Sequence, residues 1–209
     1  YRRQLMKLTL VDQEILKSFT KTTEGLAQYY GQAYEIVLHS LENLEKSVIA
    51  IFNGEHTGRV VGAPITDVAL DMLHKLEENN ENSINYFSVN KNGKPLKSST
   101  IAIRGENNRI IGLLCTNMYL SMPFMDVMKS FLEIDSSNYP VSYSETFSQN
   151  TEELLESIIT QTSNKIMNDP SISSQNINKA IIHELDNKGI FSIKHAVNRA
   201  AEYLDISIN

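Results

Sequence analysis

Residues Lys94–Met118, KPLKSSTIAIRGENNRIIGLLCTNM, limit the fold more than any other stretch of the chain. Thr100–Arg104 and Ile110–Met118 are rich in strand-forming residues, and Gly105-Glu106-Asn107-Asn108 supplies turn chemistry between them. Just upstream, Asn92-Gly93 is a second tight-turn signal, which returns Ile84–Val89 against the same pair. Three consecutive strands joined by short turns form an antiparallel meander.

The residues before the meander are expected to cover it. Val11–Thr22 and Thr23–Asn43 both read as helix; in the second, Leu26, Tyr30, Tyr34, Val37, Leu38 and Leu41 recur at spacings of three and four. Ser47–Asn53 is a short apolar run typical of a buried strand, and Asn53-Gly54 turns it toward a shorter strand at Arg59–Gly62. Pro64-Ile65-Thr66-Asp67 opens a helix bearing Val68, Leu70, Met72, Leu73 and Leu76, with Thr66 or Asp67 as its cap. The expected fold is α+β: five antiparallel strands with helices on one face, and a cavity between the layers where a small molecule would sit. After Met118 the pattern becomes helical, with a short helix at Phe124–Leu132 and a polar linker at Glu133–Gln149. Three helices follow, Thr151–Met167, Gln175–Lys188 and Ser192–Leu204. The domain expectation is 11–132 for the first unit, 133–149 for the linker and 150–209 for the helical unit.

Enzyme chemistry finds no foothold. There is no G-x-S-x-G elbow, no G-x-x-x-x-G-K-[ST] phosphate loop and no H-E-x-x-H pair; His183-Glu184 lacks the second histidine. The five histidines are scattered, and Cys115 is the only cysteine, which excludes an internal disulfide and a cysteine-only metal cage. Its place on an apolar strand fits a buried thiol rather than a nucleophile. Apolar runs such as Val48–Phe52 are too short to span a bilayer, and Tyr1-Arg2-Arg3 does not begin a signal peptide. A cytoplasmic, non-enzymatic protein without a membrane partner is expected, trimmed at its start because no initiator Met precedes Tyr1.

Binding chemistry is better supported. Alternation on the last strand places Ile111, Leu113, Cys115 and Asn117 on one face, and an Asn among apolar residues must be hydrogen-bonded by protein or by ligand. Ser98 and Ser99 enter the neighbouring strand, and Asn53 leaves the first. Each also has a purely local reading, as a strand-end side chain bonded to nearby backbone. His39 is either a histidine satisfied at a helix end or one that faces a ligand. At the other end, KHAVNRAAEYLDIS has the small-residue pattern of the first helix and turn of a helix-turn-helix, with Ser207 a natural cap for the next helix. Any small helical bundle also fits that pattern. Lys194, Asn198, Ser207 and Asn209 are the candidate DNA contacts; the net charge of −6 gives nucleic acid no support, an objection met in part by a basic, base-reading helix expected beyond Asn209.

These blocks together resemble the YheO-like family of bacterial transcriptional regulators. The matching stretches are YEIVLHSLENLEKSVIAIFNGEHTGRVVGAPITDVAL at 34–70, NGKPLKSSTIAIRGENNRIIGLLCTN at 92–117 and INKAIIHELDNKGIFSIKHAVNRAAEYLDISIN at 177–209. The resemblance implies a PAS-type sensor domain with a five-stranded antiparallel sheet, joined to a helix-turn-helix that contacts operator DNA. It implies that the chain is truncated inside that motif, at its recognition helix. His39, Asn53, Ser98, Ser99, Cys115 and Asn117 are then candidate contacts for a small-molecule effector. A homodimer is expected, with the amphipathic N-terminal helix as its interface. One alternative makes the sensor a haem protein, with His39 or His56 as axial ligand and Cys115 as a thiolate. Another leaves the cavity filled by side chains, making the domain a ligand-free interaction module.

Overall fold

The computed structural model describes residues 6–132, 145 and 147–208. The chain divides into two compact units, Tyr1–Tyr139 and Pro140–Asn209. Of the expected linker, only residues 145 and 147–149 fall within the described residues.

The first unit opens with one continuous helix, α1 (Leu10–Tyr30), where the sequence reading placed two. Thr9 caps it in a reciprocal capping box with Asp12, and Gly31, at φ 70°, ends it. That stop matters because the following residues are a strand, β1 (Tyr34–Ser40), and not the continuation of a helix. β1 lies between two neighbours in the sheet order β2-β1-β5-β4-β3 and is buried along almost its whole length. A strand covered on both faces carries a continuous apolar run, here Ile36-Val37-Leu38, and Tyr34, Val37, Leu38 and Leu41 around it happen to fall at helical spacing.

β2 (Val48–Phe52), β3 (Ser83–Val89), β4 (Pro95–Arg104) and β5 (Ile110–Tyr119) complete an all-antiparallel sheet. The meander is therefore β3-β4-β5, and β5 closes the sheet by pairing with β1. Arg59–Gly62 does not form the expected strand. Instead the loop runs past the outer edge of β2, where Gly62 N donates to Val48 O at 2.8 Å and Val48 N donates to Ala63 O at 3.1 Å.

Helices cover both faces of the sheet rather than one. Leu16 and Ala27 of α1 pack with Ile36, Leu38, Ala50 and Leu114. On the opposite face α2 (Asp67–Glu78), capped by the Thr66 hydroxyl, packs Ala69, Leu73 and Leu76 against Val37, Val48, Leu113 and Cys115. The physical reason is alternation: β1 and β5 carry apolar residues on both faces, Ile36, Leu38 and Leu114 on one and Val37, Leu113 and Cys115 on the other, so each side demands a cover. Gly112 permits the close approach of α1, since a Cβ there would lie 2.7 Å from Leu16 Cδ2 and 2.5 Å from the His39 carbonyl oxygen.

α1 is also tied at its start. The buried Asp12 carboxylate accepts from Thr9 N at 3.0 Å, from Glu106 N at 3.0 Å and from the Arg109 guanidinium. It thus joins the first turn of α1 to the β4–β5 turn. A Cβ on Gly105 would sit 2.0 Å from Asp12 Oδ1, so this turn has no room for a larger residue.

After α3 (Phe124–Leu132), the second unit contains α4 (Thr151–Met167), α5 (Ile177–Asn187) and α6 (Ala196–Leu204). Leu155, Ile159, Ile181, Leu185, Ala196 and Ala200 form its core. α6 begins at Ala196 and not at Ser192, because Ile190–Ser192 is a 3-10 turn and His195, at φ 70°, breaks the path into the helix. Among the described residues no helix is long and apolar enough to cross a membrane.

The Asp12 clamp can be tested by pH. Its hydrogen bonds, that from the Thr9 backbone foremost, hold the Asp12 carboxyl at about 2, below its usual 3.8. A depressed carboxylate stabilises the fold above the unfolded value and loses that contribution as pH falls through the folded one. Asp12→Asn is expected to lower Tm by several degrees at neutral pH, and the gap to wild type is expected to close between about pH 4 and about pH 2. Equal melting of the two proteins at neutral pH would show that the clamp contributes nothing.

Candidate functional site

The α2-facing side of the sheet is not filled completely. A cavity of about 260 Å³ lies there in the first unit, lined by Glu35 and His39 of β1, Cys115 and Asn117 of β5, and Tyr86 and Ser88 of β3. Thr57, Arg59, Asn90 and Lys91 from the flanking loops, Val89 and Leu96 from β3 and β4, and Thr66–Ala69 at the start of α2 complete the wall. Strand parity explains the set. Glu35 lies opposite Asn117 and Val37 opposite Cys115, so the odd residues of β1 and β5 share this face. The even residues of β3 and β4 join them: Tyr86 lies opposite Ser98, and Ser98 opposite Asn117.

The central feature is Glu35, which is fully buried. Its Oε1 accepts from Asn117 Nδ2 at 3.0 Å, and its Oε2 accepts from the Thr57 hydroxyl. Asn117 Oδ1 in turn accepts from Ser98 Oγ at 2.8 Å, and Ser98 Oγ lies 3.0 Å from Ser88 Oγ. One hydrogen-bonded line therefore crosses four strands, from Ser88 to Glu35, and ends on the loop at Thr57. Beside it, Tyr86 Oη lies 3.1 Å from Thr100 Oγ1, which is 3.6 Å from Cys115 Sγ. Burial pushes the Cys115 thiol up to about 11, so it is held protonated and unreactive. Burial, and after it the Glu35 charge, also pushes the Tyr119 hydroxyl well above the usual tyrosine range. The Tyr119 ring stacks on His56 with 3.8 Å between centroids.

His39 has the second unusual environment. It is fully buried, and its Nδ1 lies 2.9 Å from Ser47 Oγ. That contact forms with either ring tautomer, as Nδ1–H donating to Ser47 Oγ or as the Ser47 hydroxyl donating to Nδ1. The ring Nε2 has no partner among the described residues. Burial, with a smaller contribution from the nearby Arg59 charge, brings the ring down to about 4, so it is neutral at physiological pH.

The candidates named from sequence therefore separate. His39, Cys115 and Asn117 line one cavity, and Ser98 stands behind it as a support for Asn117. His39 reaches the cavity from a strand, not from the end of a helix. Ser99 is on the opposite face of β4, paired with Thr116. Asn53 is a brace outside the cavity: in a left-handed conformation, it donates through Nδ2 to Gly31 O at 2.9 Å and Tyr34 O at 2.8 Å. Glu35, Tyr86, Thr57 and Arg59 were missed. The misassignment of β1 as helix hid Glu35, since an acid on a helix reads as a solvated face. Among the described residues no three His, Cys, Asp or Glu side chains are grouped to hold a metal ion. In the second unit Lys194, Asn198 and Ser207 are all exposed; Asn209 lies outside the described residues.

A family model described as a YheO-like PAS domain matches residues 10–133, and one described as an HTH domain matches residues 154–209. The chain belongs to the YheO-like family. The uncharacterized protein YheO of Escherichia coli K12 is 43% identical over 198 residues, which is 94% of this chain and 81% of that protein. An uncharacterized Haemophilus influenzae protein is 40% identical over 196 residues, covering 94% of this chain and 87% of its own. Among solved structures, the PAS domain of a protein from Colwellia psychrerythraea aligns with a TM-score of 0.36 at 20% identity, over 49% of this chain and 98% of that one. A YheO-like PAS domain joined to a helix-turn-helix domain is the composition of a regulator rather than an enzyme.

The neutral state of His39 in this YheO-like domain is open to measurement. The unfolded ring takes up a proton near 6.5 and the folded one only at about 4, so acid between those values favours unfolding. NMR of the imidazoles is expected to show His39 unprotonated at pH 5, and His39→Gln is expected to flatten the fall in stability between those two values. Titration of His39 near 6.5 in the folded protein would contradict the closed environment described above.

Proposed function

We propose that this protein is a bacterial transcriptional regulator acting in the cytoplasm, in which a compact polar molecule held in the PAS-domain cavity controls operator binding by the helix-turn-helix domain. The observation that carries the reading is the pair formed by Glu35 and His39: a buried carboxylate with acceptor capacity to spare and an unpartnered ring Nε2, on one wall of one cavity. Such groups are costly to bury without partners, and a ligand that supplies a donor to Glu35 and a hydrogen-bond partner to His39 Nε2 offsets that cost. A volume of about 260 Å³ favours a molecule smaller than the usual drug-sized guest. Lys194, Asn198 and Ser207 are the proposed DNA-facing residues, on two copies of the chain that match a two-fold operator.

The rivals are less well supported. A side-chain-filled interaction module calls for a cavity walled throughout by Leu, Ile and Phe, whereas this one sets Glu35, His39, Thr57, Arg59, Tyr86, Ser88 and Asn117 among its apolar residues Val68, Ala69, Val89 and Leu96. For haem, His39 keeps an unpartnered Nε2, but the cavity of about 260 Å³ falls below the usual size of a cofactor site; His56 has its Nε2 3.2 Å from Gln32 O and its ring against Tyr119, and Cys115 resists forming a thiolate.

A ligand shifts the regulator only by its differential affinity for two states. The test is a thermal-shift screen of small polar metabolites on wild type and Glu35→Gln, followed by operator binding with each hit. At about 100 times Kd, binding adds about 2.7 kcal/mol of stability, a shift of several degrees. Hits are expected to raise the Tm of wild type, to lose at least tenfold in affinity on Glu35→Gln, and to change operator affinity. A hit bound equally by both proteins would place the ligand elsewhere.

A further inference from the structure

We propose that β3 is the seam of a two-fold dimer, in which the free edge of this strand pairs antiparallel with the same strand of a second copy. β3 is the last strand of its sheet, and no described strand pairs with its outer side. The direction of its backbone groups follows from the β3–β4 ladder. Ala102 N donates to Asn82 O at 2.8 Å and Asn90 N donates to Lys94 O at 2.9 Å, so even-numbered residues bond β4. The N–H and C=O groups of Ser83, Asn85, Phe87 and Val89 therefore point outward, and these four residues are the exposed ones.

Proteins protect such an edge with charge, proline, a bulge or a covering loop. The β2 edge has its cover, the backbone bonds from Gly62 and Ala63 to Val48. Among the described residues the β3 edge has none of these devices: SINYFSV contains no charged residue and no proline, and its pairing with β4 is regular throughout. Its outward-facing side chains include Phe87 at 76% and Val89 at 67% exposure. The edge is built to be covered.

The strand is complementary to itself. A two-fold axis at Tyr86 sets Ser83 against Val89 and Asn85 against Phe87 of the second copy, each pair exchanging two backbone hydrogen bonds. The same register gathers Phe87 and Val89 of both copies on one face. The charges that flank the strand, Glu81 and Lys91, are of opposite sign and are brought toward each other by this register, while Lys97 and its counterpart stay three strand spacings apart, about 14 Å, beyond the screening length of about 8 Å at physiological salt. Two acidic chains can therefore meet here without local repulsion. The competing interface, the apolar stripe of α1, is already spent on the sheet through Leu16, Ala27 and their neighbours.

Sedimentation velocity on the intact chain tests the seam, using Asn85→Pro, Phe87→Lys and a control on α1, Leu10→Lys. Asn85 bonds nothing in β4 through its backbone, so proline removes an outward donor and spares the ladder; Phe87→Lys keeps the backbone intact and sets like charges across the seam. Wild type and Leu10→Lys are expected to sediment as dimers with equal Kd, while both β3 variants raise Kd at least tenfold. The proposal is overturned if wild type stays monomeric, leaving the edge to a heterologous strand, or if the dimer survives both β3 changes or is broken by Leu10→Lys.

Discussion

A carboxylate closed off from water in the middle of a sheet face is the constraint around which the first unit is arranged. Burying Glu35 costs several kcal/mol unless its oxygens are bonded. Its donors come from opposite directions, Asn117 from the neighbouring strand and Thr57 from the loop after β2. Satisfying both draws that loop down over the sheet and sets the height of the cavity roof. Asn117 is held in turn by Ser98, and Ser98 by Ser88, so the orientation of one carboxylate is transmitted across four strands. The polar line is continuous, and an apolar cover from α2 closes it at one side.

The opposite face follows a different rule. There α1 lies directly on the sheet, brought close by the absence of a side chain at Gly112 and held in register by Asp12 at its first turn. One face is therefore packed solid and the other keeps a polar cavity, although both are built from the same central strands. The alternation of β1 makes this possible: Ile36 and Leu38 face the packed side, and Glu35 and His39 face the open one.

The meander was legible because its signals are local. Gly105–Asn108 and Asn92-Gly93 are turn chemistry, and the apolar runs between them are too short for helices. The three terminal helices and the helix opened by Thr66 were legible for similar reasons. β1 was not. Its apolar positions satisfy a spacing of three and four as well as they satisfy a continuous buried run, and the Gly31 stop was the signal that separates the two. That one ambiguity propagated. Placing β1 in a helix made Arg59–Gly62 the missing fifth strand, put His39 at a helix end, and concealed Glu35 altogether. Asn117 and Cys115, on a strand assigned correctly, were placed on the right face. Ser99 was included because it adjoins Ser98, and strand parity separates those neighbours.

Asn53 shows how little the size of a chemical change says about its physical effect. A single Nδ2 group there donates to two carbonyl oxygens, on either side of the entry to β1. Exchange of that amide for a carboxylate, Asn53→Asp, alters the side chain by one atom type and is conservative by any similarity table. It would nevertheless point a negative oxygen at two others and turn two attractions into two repulsions. At Asn107 and Asn108, which share the left-handed backbone but lie exposed in the β4–β5 turn, the same exchange keeps what the turn requires. One residue type thus has two vocabularies within a single chain, a hinge pin in one place and a bend in the road in the other.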